Sequence, residues 1–272
     1  MRLNKLFYGI AAASMITAFA APAQADVLDA WQMTINGNTY TDIGRLSLTA
    51  GSATVEQEVN GSGSVFVGAD FAESAIIFSI SYVQDNVVGP TDSGPISIFA
   101  PTDMLKITLS PVTGHVTALL GGGFSFVFDT GTFLLEEMTS GDDLATGSLA
   151  GIGGTLSQTT GFSGANGQSI TDVILTALLN GFDLKDSTGT SLDISTLLFE
   201  AVTNNQIGSG PGDVTGPAPC TFDATANCVT LKVNSNGDAF LQTAAVPEPA
   251  TLGLLALGLL GMGAAIRRRK IW

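Results

Sequence analysis

Ile76-Ile77-Phe78-Ser79-Ile80-Ser81-Tyr82-Val83 is the stretch that decides the fold class. Ile76, Phe78, Ile80 and Tyr82 fall on one side of an extended chain and Ser79 and Ser81 on the other, the period of two of a strand with one buried face. The same alternation recurs at Trp31, Met33 and Ile35, at Leu105, Ile107 and Leu109, and at Phe124, Phe126 and Phe128. Gly, Asn, Asp and Pro separate such runs at the ~8 to 12-residue spacing of sandwiches and barrels. The expectation is an all-β body, or a mainly β one with a single short helix, built as an antiparallel β-sandwich-like domain over residues 26–245. No fixed-period repeat is present, which argues against a solenoid or propeller. The aromatic stripes belong to the core of that body, since about 220 residues bury a substantial one.

One segment departs from the period. Ser169, with Asp172 three residues on, precedes Ile170, Val173, Ile174, Ala177 and Leu178 at helical spacing, and Gly181 supplies a stop; this predicts the short helix, with a strand as the competing reading. Residues 60–64, 151–167 and 204–219 read as loops from their Gly, Ser and Pro content. Asn234-Ser235-Asn236-Gly237-Asp238 reads as a tight hairpin turn between two short strands.

Charge limits the partners. Residues 26–246 hold twenty-three acids against Arg45, Lys106, Lys185 and Lys232, a formal charge of −19. Nucleic acid and anionic lipid are repelled by such a body, while cations and neutral or basic glycans are not.

Catalytic signatures are missing. His115 is the sole histidine, so a multi-His metal site is out of reach, and there is no GxSxG elbow, Walker A sequence or dinucleotide fingerprint. Glu136-Glu137 and Asp142-Asp143 are neighbours in sequence, and adjacent strand residues point to opposite faces. The expectation is a protein without enzymatic activity and without an obligate cofactor. Calcium is the one cation its acidic loops suit, with Asp183, Asp186 and Asp238 as candidate ligands, Asp193 being near the first two in sequence. Cys220 and Cys228, which enclose seven residues, are expected to form a disulfide if the body is exported.

Both termini point to export. Arg2 and Lys5 precede an apolar run from Leu6 to Phe19, then Pro22 and Ala23-Gln24-Ala25; residues 1–25 read as a signal peptide cleaved between Ala25 and Asp26, with Ala23 and Ala25 the small residues the peptidase requires. At the other end Ala250 to Ile266 runs without a charge, long enough at roughly 25 Å for a short transmembrane helix. Arg267, Arg268, Arg269 and Lys270 follow and act as a cytoplasmic stop, leaving the body outside. Before the helix stands Val246-Pro247-Glu248-Pro249, whose prolines hold it extended.

This ordered set, VPEPATLGLLALGLLGMGAAIRRRK, resembles the PEP-CTERM sorting domain of exopolysaccharide-producing bacteria. The resemblance implies that Pro247, Glu248 and Pro249 are recognised by exosortase, a membrane transpeptidase that removes the hydrophobic tail. Trp31 and the strand start Thr41-Asp42-Ile43-Gly44 further resemble the flocculation-associated members of the group, whose role is implied to be cell aggregation through exopolysaccharide. The expected life of the protein is export by the Sec machinery and signal peptidase, anchoring in the inner membrane by residues 246–272, then exosortase cleavage and residence at the cell surface or in the extracellular matrix, in biofilm or floc. The alternative is an uncleaved single-pass membrane protein with a periplasmic carbohydrate-binding or sensor domain.

Overall fold

A computed structural model describes residues 26–28, 30–74, 76–84 and 96–243. The expected signal helix and the transmembrane helix, with Pro247, Glu248, Pro249 and the Arg267–Lys270 cluster, lie outside the described residues.

Among the described residues there are seventeen strands and no α-helix. In chain order they are β1 (Asp26–Val27), β2 (Trp31–Ile35), β3 (Asn38–Val59), β4 (Asp70–Glu73), β5 (Ile76–Gln84) and β6 (Ile96–Ser97). Next come β7 (Leu105–Leu109), β8 (Val112–Leu119), β9 (Phe124–Thr130), β10 (Thr132–Glu137), β11 (Asp143–Leu149) and β12 (Gly153–Leu156). The series ends with β13 (Asn166–Leu178), β14 (Asp183–Asp186), β15 (Leu197–Ile207), β16 (Val214–Pro219) and β17 (Asn227–Thr243), with one 3₁₀ turn at Ile194–Thr196.

The pairings reduce this inventory to eight long strands. β4 and β5 both lie against β3, and β7–β8 against β4–β5, so that each of these pairs is one strand with a break in the middle. β9–β10 runs along β7–β8, and β11–β12 along β9–β10. β13 follows, then β15, then β17, and β17 pairs with β3. Every step is antiparallel, and the last returns to the first. The body is the all-β antiparallel fold the alternation predicts, with its two facing layers continuous around both edges as an up-and-down barrel. Closure removes the long unpaired edges that would otherwise invite aggregation.

Alternation places the interior. Ile76, Phe78 and Ile80, Leu105, Ile107 and Leu109, and Phe124 and Phe128 are all buried inside the ring. Each fully buried side chain of this size contributes roughly 1.5–3 kcal/mol. Two apolar clusters result. The larger includes Trp31, Met33 and Ile35 of β2, which forms a hairpin with β3 through Asn36-Gly37, both at positive φ, and is backed by β14. Trp31 meets Phe199 edge to face at 6.0 Å. The smaller gathers Val116, Phe124 and Leu231 with Val65 and Phe162 from the connections 60–69 and 157–165.

Three local expectations are corrected. The segment from Ser169 to Leu178 is not a helix but most of β13: Ser169, Thr171, Val173 and Leu175 are buried while Ile170 and Ile174 are exposed. Its β-branched side chains suit a strand, and β15 supplies a partner for its backbone groups in unbroken register from Asn166 to Ile174. Asn234–Asp238 is not a turn: β17 runs straight through it, with a bulge opposite β3 between Ser235 and Gly237. Gly237 is there because a Cβ would sit 2.0 Å from the Val202 carbonyl oxygen, so close strand approach, not chain reversal, demands the glycine. Parts of the expected loops 151–167 and 204–219 are strand as well, namely β12, the start of β13, the end of β15, and β16.

Candidate functional site

An uncharged polar surface lies outside the barrel where β13, β15, β17 and β3 adjoin. Register sets Gln168, Asn204 and Asn236 side by side in one row, and Asn166, Gln206, Asn234 and Ser52 in the next. All seven are exposed, because each follows or precedes an inward residue by one. The Gln168 side-chain N–H donates to Asn204 Oδ1 at 2.9 Å, which orients one amide against the next. The six amide residues of these rows, with Ala50 and Gly51 at the β3 bulge, line a depression of about 840 Å³ in which, among the described residues, no side chain is charged.

Behind this face, pointing inward, is a second uncharged network. Ser169 Oγ and Thr203 Oγ1 are 2.7 Å apart, Asn205 donates to Ser169 Oγ at 3.0 Å, and Ser235 Oγ donates to Asn205 Oδ1 at 2.6 Å. The network is internally satisfied, which is what allows it to sit in a core.

The barrel interior keeps a cavity of about 100 Å³, lined mainly by Phe, Leu, Ile and Val from every strand of the ring and by Ser169, Thr203 and Asn205. Among the described residues Glu73 is the only ionisable one in its lining. Burial alone pushes the Glu73 carboxyl up to about 8.

Other acids are bound into the scaffold. Asp103 is buried and accepts from Tyr40 at 2.5 Å, Asn38 at 2.8 Å and Asn36 at 3.3 Å, tying the β2–β3 hairpin to the segment before β7. Burial would raise its pKa, but these donors outweigh it and hold the carboxyl below its usual value. The Tyr40 hydroxyl is pushed up to about 12, by burial first and then by its bond to Asp103. Glu137 is buried too, and the Thr139 and Ser140 donors that it accepts from hold it low against the same penalty.

The residues singled out by sequence fall as follows. Cys220, which follows β16, and Cys228, the second residue of β17, are joined as a disulfide. Asp183 accepts from Ser191 at 2.8 Å and faces Lys185 at 3.6 Å. Asp186 organises its own turn through Thr188 and Thr190, bonds that lower its pKa. Asp238 pairs with Arg45 at 3.2 Å. Among the described residues no three His, Cys, Asp or Glu side chains gather where they would hold a metal ion. His115 pairs with Asp129 at 2.9 Å across β8 and β9. Glu136 faces Lys106 at 3.1 Å on the outside while Glu137 turns inward, the opposite-face placement that adjacency predicts. Asp26 opens β1, and Ala23 and Ala25 lie outside the described residues.

Sequence reasoning passed over Glu73 and the amide rows. For Glu73 the signal was present in Phe71-Ala72-Glu73, where parity with Phe71 puts it on the inner face. The triplets Asn166-Gly167-Gln168, Asn204-Asn205-Gln206 and Asn234-Ser235-Asn236 were legible only as loops, because nothing local says that they are adjacent.

Residues 245–270 match the family described as the PEP-CTERM protein-sorting motif. Neither the curated proteins nor the solved structures yield a significant match to the chain. Behind an antiparallel β body, the chain thus carries a PEP-CTERM protein-sorting motif, the C-terminal signal that addresses an exported protein to processing by an exosortase.

Proposed function

We propose that the protein is a non-enzymatic surface or extracellular-matrix component that binds a neutral exopolysaccharide through the amide rows on β13, β15 and β17, in biofilm or floc. The observation that carries this reading is the chemistry of that face. In a body of charge −19, a depression lined by seven Asn and Gln residues and, among the described residues, no charged one offers paired donors and acceptors to hydroxyl groups without repelling or attracting ions. No aromatic ring lines it, so each sugar is held weakly and affinity accumulates along a polymer. In this scheme the sorting segment releases the body from the inner membrane, and Pro247, Glu248 and Pro249 are the residues exosortase reads.

The test is binding of the purified chain to neutral exopolysaccharide from its own host, fractionated by length. Affinity is expected to rise with chain length, and the triple change Gln168→Ala, Asn204→Ala, Asn236→Ala to weaken it at least tenfold while the circular dichroism of the β body is unchanged. Equal binding by the triple variant would discard the amide face as the site. Intact mass of the protein from the host surface fraction reports on the tail, whose presence there would speak against cleavage.

A further inference from the structure

Phe71 and Glu73 are two residues apart on β4 and therefore share its inward face. Phe71 meets Phe126 at 5.5 Å and Phe128 at 6.0 Å between ring centroids, and Phe126 meets Phe128 at 5.4 Å, all three contacts edge to face. Gly114 on the adjoining strand leaves room for this arrangement, since a Cβ there would lie 2.4 Å from the Phe71 ring. The three rings and Glu73 line the same cavity of about 100 Å³. The Glu73 side chain lines this cavity, is half-buried, and has no hydrogen-bond or ion-pair partner among the described residues.

A carboxyl lining an apolar cavity without a partner is costly to keep unless something fills the place of the partner. The surroundings say what that is. Aromatic faces attract cations within ~6 Å of the ring centroid, most strongly where water is excluded. A charge of −19 over the body draws cations and repels anions. The free volume equals roughly three water molecules' share of the liquid, room for a compact group of about five heavy atoms. We propose that the barrel cavity binds a small alkylammonium cation, up to the size of a tetramethylammonium ion, with Glu73 as its counter-ion and Phe71, Phe126 and Phe128 as its aromatic wall.

The assignment is independent of the polysaccharide reading, and it makes a demand on protons. Burial pushes the Glu73 carboxyl up to about 8, so it holds its proton below that pH, and among the described residues it is the only ionisable side chain lining the cavity. A permanent cation therefore displaces one proton when it binds below that pH, and affinity falls by about tenfold per pH unit on the acid side.

Calorimetric titration of the purified full chain with tetramethylammonium chloride tests this, in a maltoside detergent so that no ammonium headgroup competes. Titrations at pH 8.5 and 6.5, each in two buffers of different ionisation enthalpy, give affinity and proton count together, and tert-butanol serves as a neutral ligand of similar size. One saturable site is expected, at least tenfold weaker at pH 6.5, releasing close to one proton there, and lost on Glu73→Gln. Absence of binding at pH 8.5, binding at pH 6.5 without proton release, or tert-butanol binding as tightly as the cation would each overturn the proposal, as would undiminished binding by a folded Glu73→Gln chain. The proton count is read on the unmodified chain, so the outcome does not depend on how well the variant folds.

Discussion

Glu73 lines the barrel cavity and Asp103 is buried beside the β2–β3 hairpin, and their surroundings drive the two carboxyl groups in opposite directions. Burial pushes the Glu73 carboxyl up to about 8, far above the usual carboxylate range, and no donor offsets it. The folded state thus holds the proton more tightly; stability is full below about pH 4.5 and is lost progressively as pH rises toward 8. Glu73→Gln removes this dependence. Over that interval the variant should gain on the order of 3–5 kcal/mol relative to the unmodified chain, read by urea denaturation at pH 4 and pH 8. Asp103 has Tyr40, Asn38 and Asn36 as donors, and removing its carboxylate strands all three. Asp103→Ala is expected to cost about 2–4 kcal/mol at pH 7 by the same measurement, a loss confined to the hairpin end of the molecule.

Breaks and bulges at the element scale do the shaping. β4–β5, β7–β8, β9–β10 and β11–β12 are each interrupted in mid-course, and β3 and β17 carry bulges at residues 49–52 and 235–237. The β3 bulge puts Gly51 where a Cβ would fall 2.2 Å from the Phe78 ring, so the aromatic side chain occupies space that the backbone cedes. At the facing bulge the Gly237 backbone lies against Val202, and the contact is with backbone that cannot swing away. Gly237→Ala should destabilise by about 2–4 kcal/mol in thermal or urea unfolding, well beyond the ~1 kcal/mol of an ordinary surface change. A stability within 0.5 kcal/mol of the parent would show that the β15–β17 contact is not close.

Charge decides behaviour at the scale of the whole molecule. Arg45, Lys106, Lys185 and Lys232 each face an acid, at 3.2, 3.1, 3.6 and 3.4 Å, which leaves nineteen formal negative charges uncompensated across the body. Salt weakens four ion pairs but screens a much larger self-repulsion, so the balance favours the folded state. Raising sodium chloride from 10 to 200 mM is expected to lift the melting temperature by a few degrees; a fall would mean that the ion pairs outweigh the excess charge. Even-numbered antiparallel closure also gives the eight long strands of the ring partners on both sides, so that none of them presents a full unpaired edge.

Alternation along the chain was enough to establish the fold class, because a period of two needs no knowledge of neighbours, and the core residues at Trp31, Phe78, Ile107 and Phe128 could be named from it. The sorting segment was equally legible, since Pro247, Glu248, Pro249, the apolar run and the arginines act in the order in which they are written. Ring closure was not, because the β17–β3 pairing joins residues almost two hundred positions apart and no local pattern specifies it. The β13 strand lost its expected helix for the same reason: β15 and β11 on either side satisfied a backbone whose own side chains were ambivalent. The two candidate sites belong wholly to tertiary structure. The amide rows exist only where three polar triplets come into register, and Glu73 becomes a lone acid lining an apolar cavity only once seven other strands surround it.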